Sequence, residues 1–164
     1  MTDAARDAAS ALLAGLAARG WSVAVAESLT GGLVLASLVS IPGASSSLRG
    51  GVVAYATDLK HSLLGVDADL LAAEGPVHPD VAGQMAVGVR ELAAHDGVVA
   101  DVGIATTGVA GPTAQGGRPV GTVYVAVATP AGVRVEAMAL TGTRAEIRAE
   151  ATQRALEIAL AETT

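Results

Sequence analysis

Hydrophobic and polar positions along this chain change period repeatedly, and each change marks an element. Ala5, Ala8, Leu12, Leu13 and Leu16 recur at helical spacing between a capping residue, Thr2 or Asp3, and a stop at Gly20. This predicts a first helix to about Arg19. Val23 to Ala26 is a short apolar run, the pattern of a buried strand. Glu27-Ser28-Leu29-Thr30-Gly31-Gly32 breaks it. Leu33, Leu35, Ala36 and Leu38 then resume at helical spacing until Pro42 and Gly43 end the helix near Ser40. After the polar loop Ala44-Ser45-Ser46-Ser47, Gly50 to Tyr55 reads as a second strand. Thr57 caps a short helix, Asp58 to Leu64, placed near solvent rather than in the core.

A further short helix, Ala68 to Ala73, stops at Glu74-Gly75-Pro76. Pro79 after His78 opens a helix to about Ala94, with Val81, Met85, Val89 and Leu92 on one face. Val98 to Ala105 is mostly apolar and reads as a central strand. Pro112 to Gly121 is a loop. Thr122 to Ala128 and Val133 to Ala139 flank Thr129-Pro130-Ala131-Gly132 as a hairpin. Thr141 or Thr143 caps a last helix to about Glu162, on which Glu146, Arg148, Glu150 and Arg154 read as a solvated face. Helices alternating with strands, plus one hairpin, predict an α/β fold. It is a three-layer α/β/α sandwich around a five-stranded sheet, mixed but mostly parallel. The whole chain, 1–164, reads as one domain without repeat, linker or low-complexity tail.

Composition narrows the function. Mean hydropathy is +0.51, yet Gly, Pro or charge breaks every apolar run before membrane-spanning length. The first seven residues lack the positive region and apolar core of a signal peptide, so a soluble, cytoplasmic protein is expected, with no membrane partner. The formal net charge of −6 argues against non-specific nucleic-acid binding. The absence of Cys removes disulfides, zinc thiolates and a cysteine nucleophile. The three His, at 61, 78 and 95, are too scattered for a metal cluster. Of the 10 basic residues, Lys60 alone is Lys. Only Lys offers an amine whose pKa can be brought near neutral. Lys60 is therefore either a candidate for chemistry or a chance survivor on a solvated helix face.

Candidate chemistry gathers where strands end. Ser28 to Gly32, Tyr55 to Lys60 and Thr106 to Gly111 are rich in hydroxyls or glycine. If the three strands are parallel neighbours, these turns converge on one sheet edge, the usual place for ligands in open α/β sheets. Gly31 and Gly32 permit close approach of a ligand, and the helix behind them offers N–H groups to an anion. A Ser–Lys hydrolase or transferase fits. A plain strand-to-helix turn capped by Ser28 or Thr30 remains the alternative. There is no G-x-S-x-G, S-x-x-K or Walker A motif around Ser28. Arg118 and Arg144 are candidate phosphate clamps or ordinary surface charges.

Four linked stretches also carry a resemblance. Ala26-Glu27-Ser28-Leu29-Thr30-Gly31-Gly32 comes first. Gly50-Gly51-Val52-Val53-Ala54-Tyr55 follows, with Lys60 and Leu64-Gly65-Val66. Gly108-Val109-Ala110-Gly111-Pro112 and Pro119-Val120-Gly121-Thr122-Val123 complete the set. In order and spacing the chain resembles the CinA carboxy-terminal domain family. Its stand-alone members are nicotinamide-nucleotide amidohydrolases, which convert nicotinamide mononucleotide (NMN) to nicotinate mononucleotide and ammonia. The resemblance implies a pyridine-nucleotide substrate, no cofactor or metal, and often a homodimer. It implies Ser28 as nucleophile, with Lys60 and Tyr55 activating it. It implies substrate contacts from Glu27, Thr30, Gly31, Gly32, Ser45, Thr107, Gly108, Gly111 and Arg144. N–H groups near Gly31 and Gly32, or Thr107, are the expected oxyanion donors. The chain departs from the family at Thr143, where Asp usually precedes the Arg, and at His78, where Ser is usual.

Overall fold

The computed structural model describes residues 1–164. Thr2 caps α1 (Asp3–Arg19), and Gly20 ends it in the left-handed conformation. β1 (Val23–Glu27) leads through the Ser28–Gly32 turn into α2 (Leu33–Val39). A 3-10 turn over Ala44–Ser46 precedes β2 (Leu48–Val53). Then follow α3 (Thr57–Leu64), α4 (Ala68–Glu74) and α5 (Pro79–Leu92). β3 (Val102–Gly108) is followed by the hairpin β4 (Thr122–Thr129) and β5 (Gly132–Ala139), and α6 (Arg144–Glu162) closes the chain. Thr143 and Glu146 form a reciprocal capping box at the start of α6. No helix is long and apolar enough to cross a membrane.

The sheet order is β2-β1-β3-β4-β5. β1 pairs in parallel with β2 and with β3, and β4 is antiparallel to both of its neighbours. Four strands thus share one direction and β4 alone runs against them, so the mixed, mostly parallel sheet is as expected. Alternation along the strands sorts side chains by size. Val23, Val25, Val102, Ile104, Val123 and Val125 meet α1, α2 and α6 in one core. Ala24, Ala26, Ala105, Ala126 and Ala128 meet the helices of the other layer in a second core. The alanine face lets α5 lie close to the sheet. A Cβ at Gly88 of α5 would stand 1.8 Å from the Leu64 carbonyl oxygen, so this glycine is what admits the end of α3. Contact at that point fixes the helix that carries Lys60.

Several boundaries differ from the sequence reading. Val98 and Val99 are exposed and precede β3 rather than forming it, because the chain reverses at the His95–Val98 bridge. β3 instead continues through Thr106 and Thr107 to Gly108, because β4 supplies partners as far as Val123. β2 stops at Val53, and Thr57 is the first residue of α3 rather than its cap.

Candidate active site

β1 is the point at which the chain order reverses, since β2 lies on one side of it and β3 on the other. The carboxyl ends of these three parallel strands face a cavity of about 280 Å³. Its lining includes Ser28 and Leu29 after β1, Tyr55 and Lys60 after β2, and Thr107, Gly108 and Gly111 at the end of β3. Pro76 and Val77, before α5, and Arg144, opening α6, complete its sides. Lys60 and Arg144 are its only charged lining groups, and both are cationic.

Lys60 is 1% exposed and heads the largest fully buried side chains, although it sits on a short helix expected near solvent. The helix is buried there because α3 packs against α5, and its inner face points at the strand ends. Lys60 Nζ donates to the Ala54 carbonyl at 2.7 Å, to the Tyr55 carbonyl at 3.4 Å and to Ser28 Oγ at 3.1 Å. No carboxylate pairs with it. Burial therefore pushes its amine down from 10.5 to about 8. With two tetrahedral positions directed at carbonyl oxygens, the third faces Ser28 Oγ. In the ammonium form that position is an N–H, and in the neutral amine it is the lone pair.

The Ser28 turn is held from several directions. Ser28 N–H donates to the Thr106 carbonyl at 3.0 Å. Thr30 Oγ1 and Thr106 Oγ1 share a hydrogen bond of 2.7 Å, both fully buried. Glu27 Oε2 accepts from Gly32 N–H at 2.9 Å and Val34 N–H at 3.1 Å, and Oε1 from Leu35 N–H at 2.8 Å. Neither Ser28 nor Thr30 caps α2. That task falls to Glu27, whose charge also suits the positive end of the helix. On the other side, Arg148 Nε donates to the Leu29 carbonyl and Nη2 to the Thr30 carbonyl, each at 2.9 Å.

These contacts divide the expected site residues. The fold brings Ser28, Tyr55, Lys60, Thr107, Gly108, Gly111 and Arg144 to one cavity. It does not bring Glu27, Thr30, Gly31, Gly32 or Ser45 there. The Glu27 carboxylate and the Gly32 N–H are spent on each other, and the Gly31 N–H donates to the Ser28 carbonyl at 3.1 Å. Thr30 is committed to Thr106. Ser45 lies in the 3-10 turn that enters β2, at the opposite edge of the sheet, because parallel strands carry their beginnings and ends to opposite edges. The expected oxyanion donors are thus engaged elsewhere, and Thr107 Oγ1 donates to the Pro76 carbonyl at 2.7 Å. Tyr55 reaches Lys60 through its main-chain carbonyl rather than its phenol. The phenol, on a side chain 59% exposed, accepts from Arg144 Nη2 at 3.0 Å, while Arg144 Nη1 donates to the Gly111 carbonyl at 2.7 Å. Arg148 escaped the sequence reading because its charge resembles that of its neighbours on α6. Its spacing of four from Arg144, which puts both on one helix face, was the available signal.

Comparison with known proteins identifies the family to which this fold belongs. The family model for the CinA C-terminal domain matches residues 5–163. A CinA-like protein of Frankia casuarinae is 48% identical over 143 residues, 87% of this chain and 32% of that protein. A putative competence-damage inducible protein of Desulforamulus reducens is 48% identical over 141 residues, 85% of this chain and 33% of that protein. The chain therefore spans about a third of the length of these curated relatives. The crystal structure of the competence/damage inducible protein CihA from Agrobacterium tumefaciens superposes with a TM-score of 0.92 at 32% identity, covering 100% of this chain and 98% of that one. A CinA superfamily protein from Klebsiella pneumoniae 700603 gives 0.90 at 29% identity, covering 97% of each chain. With a family match over nearly all its residues, a relative 48% identical and a shared fold at 32% identity, this chain belongs to the CinA C-terminal domain family.

Proposed function

We propose that this protein is a nicotinamide-nucleotide amidohydrolase that converts NMN to nicotinate mononucleotide and ammonia. One observation carries the reading. A buried, depressed Lys60 amine stands 3.1 Å from Ser28 Oγ at the floor of a cavity. Neutral Lys60 takes the Ser28 proton as the oxygen attacks the carboxamide carbon. The carbon–nitrogen bond then breaks, and the proton held by Lys60 leaves with the nitrogen as ammonia. Water, deprotonated by the same amine, attacks the acyl carbon; the bond from that carbon to Ser28 Oγ breaks, nicotinate mononucleotide leaves, and Lys60 gives the proton to Ser28 Oγ. The chemistry draws on no metal or cofactor. In this reading Arg144, which lines the cavity, meets the substrate's phosphate and releases Tyr55 Oη or the Gly111 carbonyl to do so. Family resemblance supplies the choice of NMN among carboxamides. A homodimer goes with the same reading and is measurable by sedimentation.

The curated relatives are named as CinA-like or competence-damage inducible proteins rather than for a reaction, which favours a second reading. In it, the pocket binds a nucleotide without turnover. Ammonia release from purified protein supplied with NMN separates the two. Turnover without added metal, much faster on NMN than on free nicotinamide, is expected, because remote binding energy positions the carboxamide. Ser28→Ala should abolish it while NMN affinity stays within about tenfold, roughly 1.4 kcal/mol. Equal rates on NMN and nicotinamide refute the substrate assignment. Tight NMN binding with no ammonia from wild type supports the binding module instead.

A further inference from the structure

Glu27 occupies the α2 N-terminus and Thr107 is tied to Pro76, so the oxyanion donor must be sought elsewhere. Leu29, directly after Ser28, lines the cavity, and its main-chain N–H has no acceptor within the protein. The N–H of the residue after a nucleophilic Ser is a recurrent oxyanion donor. Two peptide groups connect this N–H to a cation. Arg148 Nη2 donates to the Thr30 carbonyl at 2.9 Å. That carbonyl shares a peptide group with the Gly31 N–H, which donates to the Ser28 carbonyl at 3.1 Å. The Ser28 carbonyl in turn shares a peptide group with the Leu29 N–H. Each link polarises the next in the same sense. None of the ion pairs in the protein involves Arg148, so its charge is directed at the Leu29 and Thr30 carbonyls. Gly31 has a φ of 61°, and a Cβ there would stand 3.1 Å from Arg148 Nη2, so the turn is shaped around the guanidinium.

We infer that Arg148 is a positioning residue of this site: through the Thr30–Gly31 and Ser28–Leu29 peptide groups it fixes and polarises the Leu29 N–H as the oxyanion donor for attack by Ser28. The inference rests on the reading of Ser28 as nucleophile but not on the identity of the substrate. A fluorophosphonate probe tests it without NMN. Ser28 Oγ bonds to phosphorus, fluoride departs, Lys60 receives the serine proton, and the phosphoryl oxygen takes the oxyanion position.

Wild type, Arg148→Met, Arg148→Lys, Arg154→Met and Ser28→Ala are labelled as full-length proteins over a range of probe concentrations, with melting curves recorded beside them. Loss of an oxyanion donor costs about 100-fold or more, so weakening one should slow the limiting labelling rate of Arg148→Met by roughly tenfold or more. Half-saturation and the pH midpoint set by Lys60 should stay in place. Arg148→Lys, which keeps a cation and one donor, should fall between and serves if the Met variant does not fold. Arg154, paired to Glu136 and Glu157 farther along α6, controls for general weakening of the helix, and Arg154→Met should label normally. A folded Arg148→Met labelled at the wild-type rate, with Ser28→Ala unlabelled, overturns this inference alone. An equal fall in Arg154→Met also overturns it. An unlabelled wild type overturns the nucleophile reading and this inference with it.

Discussion

Replacing Lys60 by Met separates the price of burying an amine from everything else the side chain does. The folded protein holds this amine near 8, against 10.5 for an unperturbed lysine. The difference corresponds to about 3 kcal/mol of unfavourable charging in the folded state. Below pH 8 both the folded and the unfolded forms are protonated, so the penalty is present in full. Between about 8 and 10.5 the unfolded chain binds the extra proton, so stability rises with pH. Above 10.5 both are neutral and the penalty is gone. Lys60→Met has no such term, although it leaves the Ala54 and Tyr55 carbonyls without this donor, at about 1–3 kcal/mol each. Denaturant unfolding of both proteins from pH 7 to 10.5 cancels the groups they share. The wild type should gain on the variant by about 3 kcal/mol across that interval. Parallel curves would show that the amine is not depressed and would remove the physical basis for a lysine base. The same titration governs activity: at pH 7 only about one molecule in ten carries a neutral amine, so kcat/KM should rise tenfold per pH unit and level off near pH 8. Lys60→Arg should lose at least ~100-fold in rate, since a guanidinium does not give up its proton. It should also melt below wild type, because the slot is buried and the larger group overfills it.

Two further outcomes follow from hydrogen bonds at the site. Arg144→Met should raise KM for NMN by about 10- to 100-fold, the scale of a lost charge-assisted hydrogen bond, with kcat little changed and nicotinamide riboside unaffected; an unchanged KM would place the phosphate elsewhere. Glu27→Gln should lower stability by about 1–3 kcal/mol, roughly 3–10 °C in Tm, because its amide NH₂ must face one of the three N–H groups that the carboxylate satisfies; an unchanged Tm would mean that the cap contributes nothing.

Several features were legible because they are local. Gly20, Pro79 and Thr143 stop or start helices by their own backbone preferences and side-chain reach, and each does so here. The apolar run from Val23 to Ala26 is a strand because burial on both faces is the only environment that suits it. The convergence of the Ser28, Lys60 and Thr107 turns followed once the strands were taken as parallel neighbours, since parallel strands end at one edge. Composition by itself marks Lys60 as a candidate, because among these basic residues only a lysine offers an amine whose pKa can be brought near neutral.

Tertiary structure alone decided which polar groups remain free to act. The resemblance offered Gly31, Gly32 and Thr107 as oxyanion donors and Glu27 as a ligand contact, but Gly31, Gly32 and Glu27 are satisfied within their own turn and Thr107 by the Pro76 carbonyl. Thr107 meets a carbonyl 31 residues away in the chain. Arg148, marked in sequence only by its spacing of four from Arg144, reaches carbonyls 119 and 118 residues away. Lys60 was assigned to solvent because a short helix with polar neighbours has no burial signal of its own. Its burial comes from α5, which approaches through Gly88. Patterning along a chain reports the preferences of each residue. The commitment of a hydrogen-bonding group depends on who arrives beside it, and that is fixed only when the layers pack.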